Sequence, residues 1–489
     1  MTSKEQLRSI IGRCCDILRT DDGISGSVHY TEALSWVLYL KFFADKEKER
    51  RAVAELAGDE YHPILKKEYR WEVWSDAKKG KTGKELTSFI NDELFPYLAS
   101  LKGTKEGDPR DIIGAIFKNV QNRVNSGYLL REVIDLVQSI HFDVGEEAFA
   151  LSHIYESLLK DMGEGGGNAG EYYTPRPLIK TMIEMIDPKI GETIYDPACG
   201  TGGFLAQAHI YLEPKAKTPD LRKILNNKTF YGREKTPLPF VLCLMNLTLH
   251  GMDYPRISKE NTLQIDIRQI DERDKFDVVL ANPPFGGREQ PIIQKNFPVE
   301  ANATELLFLQ HIEKSLKRGG RAAVVVPEGI LFQTNGAYQQ VKAKLIKEAN
   351  LHTVVSLPPG IFLPYSAVKT SVIFFERGGR ATKDVWFYEV GLIDGKKLTK
   401  KAGITEAHFA ELLKIYKKRP DTERSWTVPV ERIIKDEMNL SAGHYNPHGP
   451  EQEELLEPEQ YAEEIKSLLA GAMTNVDELL RELSRGSRT

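Results

Sequence analysis

"IYDPACGTGGF", residues 194–204, places a short strand, an acidic residue and a glycine-rich turn in one continuous stretch. Gly200, Gly202 and Gly203 allow the backbone to turn sharply and to approach a ligand without a side-chain clash. Such a turn at the carboxyl end of a strand is typical of ligand sites in open α/β sheets. The stretch therefore predicts a strand, a ligand-binding loop and a helix in succession.

The segments that follow continue the alternation of strands and helices. Short apolar strands are predicted in "ETIYDPA", "KTFYGRE", "FDVVLAN", "RAAVVVP", "LHTVVSLP" and "KTSVIFFERG". This alternation predicts an α/β fold with a doubly wound sheet. "NATELLFLQHIEKSLKRGG" predicts an intervening helix that is closed by basic residues and Gly319. "SVIFFE" lacks a clear following helix, which favours a late antiparallel strand.

The domain organisation follows from changes in pattern along the chain. Residues 1–162 predict a helical N-terminal domain, with "TEALSWVLYLKFFADKEKER" as its most apolar helix. The glycine-rich "GEGGGNAG" predicts a flexible joint or a loop that lies close against a ligand, and it marks a boundary. We therefore assign residues 163–425 to the α/β domain and 426–489 to a C-terminal extension. From residue 459, apolar side chains at helical spacing predict a helix that packs on its own domain or docks on another subunit.

Composition narrows the class of protein. The chain has 489 residues, 28% of them charged, and a net charge of −4. This is not the strongly basic balance of an independent nucleic-acid binder, so any work on DNA would require a partner for much of the grip. There is no apolar run of about 18 residues, which predicts no membrane span. Four cysteines without metal or disulfide spacing favour the reducing cytoplasm, and we expect no metal site.

The glycine-rich loop indicates a cofactor with a positive charge. Asp196 precedes the loop, and its carboxylate can meet a cationic group. The loop is not G-x-G-x-x-G, which makes a dinucleotide the weaker alternative, whereas S-adenosylmethionine carries both a sulfonium and an amino group. The next strand ends at Glu234, which can accept hydrogen bonds from ribose hydroxyls. A single glycine loop is often only a tight turn, but these groups on consecutive strands together favour a cofactor site.

"GEYYTPRPL", residues 170–178, precedes the α/β domain and has two interpretations. It can be a turn before a helix, with Pro175 near the first helical residue. Alternatively, it closes over the methionine end of a cofactor through Tyr172, Tyr173 and Thr174.

"FDVVLANPPFGG", residues 276–287, ends a strand in a stiff, acceptor-rich segment. Asn282 and Pro283 both precede prolines and are pushed toward extended geometry, and the prolines have no N–H to donate. The side-chain oxygen of Asn282 and the carbonyl of Pro283 can accept both N–H bonds of one amino group. Phe285 can stack on the base that carries it, once that base has flipped out of a duplex. A bare Asn-Pro-Pro could also be a simple strand-ending turn.

In these motifs the sequence resembles the amino-methyltransferases, and more closely the modification subunits of type I restriction–modification systems. "GEYYTPRPL", "DPACGTGGF", "YGRE", "DVVLANPPF", "GGRAAVVVP" and "LPPGIFLPYSAVKTSVIFF" occur in that family's order, and the resemblance covers nearly the whole chain. It implies N6-adenine methylation of DNA with S-adenosylmethionine as the donor.

The resemblance also implies which residues form the site. The implied cofactor-binding residues are Glu171, Tyr172, Tyr173, Thr174, Pro175, Arg176, Asp196, Gly200, Thr201, Gly202 and Glu234. Asn282, Pro283 and Phe285 would hold the adenine, with Phe362 or Tyr365 against its other face. Where relatives often have an acid near the cofactor adenine, this chain has Asn261, with Asp266 as a weaker candidate.

The family further implies partners. A specificity subunit reads the DNA sequence, commonly with two modification subunits each, and a separate motor–nuclease subunit completes the restriction enzyme. No G-x-x-x-x-G-K-[ST] nucleotide loop occurs here, so ATP hydrolysis is not expected of this chain.

Two alternatives remain beside DNA adenine methylation. Methylation of a glutamine side chain or an RNA base also uses Asn-Pro-Pro, but more often with Tyr next, and those relatives lack the long helical start. A non-catalytic scaffold in a DNA-binding assembly predicts degenerate motifs, whereas both motifs here are intact.

Overall fold

The computed structural model describes residues 4–140, 174–363, 366–379, 381–399 and 402–448. The predicted joint at 163–170 and the predicted C-terminal helix from residue 459 lie outside these ranges. None of the helices within them combines the length and the apolar content needed to cross a bilayer.

The N-terminal part is helical, as predicted. Its α-helices are α1 (Lys4–Arg19), α2 (Gly26–Ala57), α3 (Trp71–Trp74), α4 (Gly83–Ser88), α5 (Phe95–Ser100), α6 (Pro109–Phe117) and α7 (Gly127–Gln138). The long helix α2 is buried around its whole circumference between Tyr30 and Ala44, so the other helices pack around it. It ends where Gly58, at φ 76°, donates its N–H to the carbonyls of Ala54 and Glu55.

The rest of the described chain forms one mixed sheet with helices. Its strands are β1 (Ile194–Asp196), β2 (Phe230–Glu234), β3 (Arg256–Lys259), β4 (Phe276–Ala281), β5 (Leu316–Pro327), β6 (Ala349–Ser356), β7 (Thr370–Arg377), β8 (Asp384–Glu389) and β9 (Ser425–Pro429). The longer helices are α8 (Arg176–Ile186), α9 (Gly203–Leu212), α10 (Pro219–Lys228), α11 (Pro237–Leu249), α13 (Thr304–Ser315) and α15 (Gly336–Glu348). Shorter helices are α12 (Pro291–Gln294), α14 (Glu328–Phe332), α16 (Ala410–Ile415), α17 (Val430–Lys435) and α18 (Ala442–Tyr445).

The strand order reverses its winding between β1 and β4, inside the sheet. The order is β3-β2-β1-β4-β5-β7-β6-β8-β9, and the first five strands are parallel. After β3 the chain crosses to the other side of β1, so the carboxyl ends of β1 and β4 flank a topological switch point. Strand β7, which contains "SVIFFE", is antiparallel to both β5 and β6, as predicted.

Two predicted boundaries can be compared with the sheet. The helix expected to close at Gly319 ends earlier, at Ser315, so that prediction is wrong. The reason is that Leu316 already pairs with Phe276 in the ladder between β4 and β5. The proposed domain boundary after residue 425 falls inside β9, which pairs with β8 from Ser425 to Pro429.

Helix α11 connects the helical part to the sheet, because it is buried on two faces. Phe240, Leu244 and Met245 belong to the apolar core of the N-terminal helices. Cys243 and Leu247 belong instead to the core beneath the sheet. A helix that is apolar on all sides is stable only when it is covered all round. Helix α11 therefore packs against both the N-terminal helices and the core beneath the sheet.

Candidate active site

The carboxyl ends of β1, β2 and β4 surround a cavity of about 270 Å³ at the switch point. Both sequence motifs contribute to its wall, the glycine-rich loop on one side and the Asn-Pro-Pro segment on the other. The predicted residues in its lining are Thr174, Arg176, Asp196, Gly200, Glu234, Asn261 and Asn282. Residues separated by more than 100 positions thus meet in one space because parallel strands end at the same edge of the sheet.

The glycine-rich loop requires glycine for its conformation and for its packing. Gly202 has φ 81°, in the left-handed region, and precedes the first residue of α9. A Cβ atom there would lie 2.8 Å from Cys243 Sγ on α11. A side chain at this position would therefore strain the backbone and displace the helix behind the loop.

Two polar side chains hold the loop from behind, and the sequence did not indicate either. Asn246 on α11 is fully buried, and its Nδ2 donates to the carbonyl of Thr201 at 2.9 Å. The Thr262 hydroxyl donates to the carbonyl of Pro197 at 2.6 Å. Because both act through backbone carbonyls across long sequence separations, no local pattern could have identified them.

Asp196 is the last residue of β1 and is 1% exposed. One carboxylate oxygen accepts a hydrogen bond from the N–H of Ala198 at 3.0 Å. Burial raises the pKa of Asp196 to about 8. The hydrogen bond from Ala198 opposes this rise, and repulsion by the neighbouring Glu234 adds to it. The group is therefore poised to ionise when a cation enters the cavity.

Glu234 ends β2 and fixes the loop from the other side. Its Oε2 accepts from the N–H of Gly200 at 3.0 Å, and its Oε1 accepts from the N–H of Thr236 at 2.7 Å. Burial raises the pKa of Glu234, while these hydrogen bonds oppose the rise. Each carboxylate oxygen keeps a further lone pair that a ligand hydroxyl can use.

Asn261 lies in the cavity lining, but its side chain has a local structural role. Its Oδ1 caps the 3₁₀ turn Thr262–Gln264 by accepting from the N–H of Leu263 at 3.1 Å. The weaker candidate, Asp266, is not part of the lining and pairs with Arg268 at 2.7 Å. The structure brings Asn261 to the cavity and leaves Asp266 outside it.

Asn282 follows β4 and faces the same cavity. Its Nδ2 donates to the Thr174 hydroxyl at 3.0 Å. Its Oδ1 is buried and accepts no hydrogen bond from any residue that the structure describes. Unpaired buried acceptors are costly and therefore uncommon in folded proteins. This oxygen is oriented for a donor that arrives with a ligand.

The aromatic residues near Asn282 are arranged at right angles. The rings of Phe285 and Phe362 lie 5.9 Å apart between centroids with an interplanar angle of 83°. Phe362 is 4% exposed, and its ring packs against Phe285, which is half-buried. In this arrangement the two rings do not form a parallel slot. The other stacking candidate, Tyr365, lies outside the described residues, as do Glu171, Tyr172 and Tyr173.

The cavity also contains groups that the motifs did not predict. Arg233 pairs with Glu260 at 2.9 Å between Nε and Oε1 at the ends of β2 and β3. Leu263 and Phe308 add apolar surface. Across the described residues, no group of three or more His, Cys, Asp or Glu side chains is placed to hold a metal ion. Acidic, amide and apolar groups of this kind suit an organic cofactor with a cationic part.

Comparison of the sequence with known proteins identifies the family of this chain. The sequence model of the N-6 DNA methylase family matches residues 147–454, and that of the HsdM N-terminal domain matches residues 7–137. This chain belongs to the N-6 DNA methylase family. Within it, the EcoEI methylase subunit of a type I restriction enzyme from Escherichia coli is 40% identical over 447 residues, with 89% of each chain covered.

Solved structures from type I restriction–modification systems share the fold. A modification subunit assigned to a type I restriction enzyme from Vibrio vulnificus YJ016 has a TM-score of 0.84 and 40% identity, covering 92% of this chain and 98% of its own. A chain from a structural study of complex assembly and conformational transition in the type I R-M system has a TM-score of 0.81 and 43% identity, covering 99% of both chains. The predicted resemblance, fold class and enzyme class are confirmed: the chain is a type I methylase subunit.

Proposed function

We propose that this methylase subunit transfers a methyl group from S-adenosylmethionine to the N6 amino group of adenine in DNA. One observation carries the proposal: a single cavity is lined by the glycine-rich loop and by Asn282, whose Oδ1 is buried without a partner among the described residues. The loop that would hold the methyl donor and the oxygen that would accept from the target amino group therefore face the same space.

The residues of the loop fit S-adenosylmethionine. When bound, this cofactor supplies a methyl group made electrophilic by its positively charged sulfur. Asp196 provides a carboxylate that becomes charged beside a cation, and Glu234 provides oxygens for ribose hydroxyls. We propose that Thr174 and Arg176, with residues 171–173 and Pro175, enclose the methionine end, and that Asn261 lies near the adenine.

Asn282 and Pro283 would position the target. The Oδ1 of Asn282 and the carbonyl of Pro283 accept the two N–H bonds of the amino group and hold its lone pair toward the methyl group. The bond to Thr174 keeps the amide of Asn282 in the orientation that presents Oδ1. These groups work by orientation and by stabilising the positive charge that develops on nitrogen, so no strong base is required.

Phe285 would retain the adenine after it leaves the duplex. An enzyme cannot act on a base that is stacked inside a duplex, so we propose that the adenine flips out into the cavity. Stacking on an aromatic ring contributes about 1–3 kcal/mol per base, which helps to offset the cost of unstacking. The perpendicular Phe362 buttresses the Phe285 ring from its edge.

The assembly follows from the family and from the charge. We propose that a specificity subunit selects the DNA sequence, with two methylase subunits bound to it, and that a motor–nuclease subunit completes the restriction enzyme. The net charge of −4 supports reliance on a partner for the grip on DNA. The four cysteines are buried and form no disulfide, which supports the proposal of a cytoplasmic location.

The test is a methyl-transfer assay with the subunit bound to its specificity subunit. Label from S-adenosylmethionine should appear on adenine N6 in DNA. Asn282→Ala should reduce kcat by about 10²–10³-fold, the range for losing one preorganised electrostatic group, and should leave cofactor affinity unchanged.

A matched control is Asn350→Ala, which alters an asparagine at the start of β6, away from the cavity lining. This variant should retain wild-type activity. Label on RNA or on a glutamine side chain instead of adenine would contradict the proposal, as would a fully active Asn282→Ala.

A further inference from the structure

The segment that follows Phe285 is attached to the first turn of helix α13. The N–H of Gly286 donates to Glu305 Oε1 at 2.5 Å. In the opposite direction, the N–H of Thr304 donates to the carbonyl of Gly287 at 3.1 Å. Two adjacent residues of the loop therefore exchange hydrogen bonds with two adjacent residues of the helix, which fixes both the position and the direction of the loop.

Glu305 is buried to an extent that is unusual for a carboxylate. It is 7% exposed, and it also accepts from the Thr304 hydroxyl at 3.3 Å. Burying a carboxylate is expensive unless hydrogen bonds or charges compensate it. Here the Gly286 N–H compensates part of the cost. The positive end of the helix dipole compensates more of it, because Glu305 lies in the first turn of α13, and the preceding Ala303 has no side chain that could cap the helix instead.

The bond to Gly286 lies directly after Phe285, and the Thr304–Gly287 bond and a bond from the N–H of Glu289 to the carbonyl of Asn302 at 3.0 Å follow it. Pro283 and Pro284 have no N–H, so backbone donors return only at Phe285 and Gly286. Gly286 is exposed and has φ 71°, and it has no side chain that could hold this conformation. Gly287 is closely packed, because a Cβ there would lie 2.8 Å from Thr304 Oγ1. The direction of the chain after Phe285 therefore depends on α13.

We propose that Glu305 is a positioning residue that fixes the backbone after Phe285 and thereby holds the Asn-Pro-Pro-Phe segment in the geometry that receives the flipped adenine. This proposal rests on the proposed function. Glu305 does not line the cavity, and it acts on the target through Gly286.

The test compares three variants in the complex with the specificity subunit. Glu305→Ala removes the acceptor, and Glu305→Gln keeps a carbonyl oxygen that can take the Gly286 N–H. Glu313→Gln is the matched control, because Glu313 is 5% exposed on the same helix but pairs with Arg377 at 3.1 Å, away from the loop.

The first readout is hydrogen exchange of the backbone, which does not depend on catalysis. Glu305→Ala should speed amide exchange in the peptide containing Gly286 by about tenfold or more, since a hydrogen bond to a charged group is lost. Glu313→Gln should leave that peptide unchanged. Equal exchange of this peptide in Glu305→Ala and wild type would overturn the proposal.

The second readout separates the target from the cofactor. Glu305→Ala should lower kcat for adenine methylation by about tenfold to a hundredfold and weaken the fluorescence change of an adenine analogue at the target position, with the Kd for S-adenosylmethionine within about twofold of wild type. Glu305→Gln should recover most of the activity. Loss of cofactor binding in step with activity, or no recovery in Glu305→Gln, would show a merely structural role. A wild-type complex that methylates no adenine would instead overturn the proposed function.

Discussion

The affinity of this subunit for S-adenosylmethionine should rise as the pH rises from 6 to 8. Burial raises the pKa of Asp196 from 3.8 to about 8, so the carboxyl is mostly protonated in the ligand-free protein at neutral pH. Only about a tenth of the sites carry the charged form at pH 7. Since a cationic ligand pairs with the carboxylate and not with the acid, binding requires loss of this proton.

The size of the effect follows from the pKa. Each pH unit below the pKa costs about 1.4 kcal/mol of binding free energy. The Kd should therefore fall about ninefold between pH 6 and pH 7 and about fivefold between pH 7 and pH 8. Above pH 8 the carboxyl is already ionised, and the fall should be less than about twofold for the next unit.

Isothermal titration of the wild-type subunit with S-adenosylmethionine measures this directly. Titrations in two buffers of different ionisation enthalpy also count the protons released, which should be about 0.9 per site at pH 7. Asp196→Asn is the matched control, since it keeps the shape of the side chain and cannot ionise. Its affinity should be lower and nearly constant between pH 6 and pH 8.

Two results would refute this reasoning. A wild-type Kd that does not change between pH 6 and pH 8 would show that Asp196 does not lose a proton on binding. A pH dependence that survives in Asp196→Asn would assign the titration to another group, with Glu234 next because burial raises its pKa as well.

Two further predictions concern Asp196 and Thr174. Because the folded-state pKa of Asp196 is raised, its proton contributes stability that is complete below about pH 4 and is lost as the pH rises through about 8. Asp196→Asn should therefore raise the Tm of the ligand-free protein more at pH 8.5 than at pH 5; an equal shift at both would contradict this. Thr174→Val should lower kcat by about fivefold to a hundredfold, because Asn282 loses the partner of its Nδ2 at 3.0 Å. Thr174→Ser retains a hydroxyl and should stay near wild type in the same methylation assay, so similar losses in both variants would argue against orientation by that bond.

The parts of the site that the sequence could predict are those that lie at strand ends. Asp196 and Glu234 end recognisable apolar strands, Asn282 directly follows one, and all three line the cavity. Parallel strands in an open sheet end at one edge, so three strand-end residues meet without any further information. The antiparallel β7 was also predictable, because no helix follows "SVIFFE" to carry the chain back across the sheet.

The supporting groups could not be predicted in this way. Asn246 and Thr262 hold the loop through backbone carbonyls, and Glu305 holds the other motif through a backbone N–H. Backbone groups are the same at every residue, so such a contact leaves no pattern in the sequence of either partner. The helix end near Gly319 was missed for a related reason, since pairing of Leu316 with Phe276 outweighs local helix signals.

By itself, the sequence determined the chemistry that is available and the order of the elements that carry it. The glycine-rich loop, the acids at the strand ends and the stiff Asn-Pro-Pro segment are local features that depend on residues close together in the chain. Only the tertiary structure decided that Asn282 Oδ1 is buried without a partner among the described residues, that burial raises the pKa of Asp196, and that Glu305 accepts from the N–H of Gly286. These properties depend on burial and on hydrogen bonds between distant segments, and neither exists until the sheet and its helices have packed together.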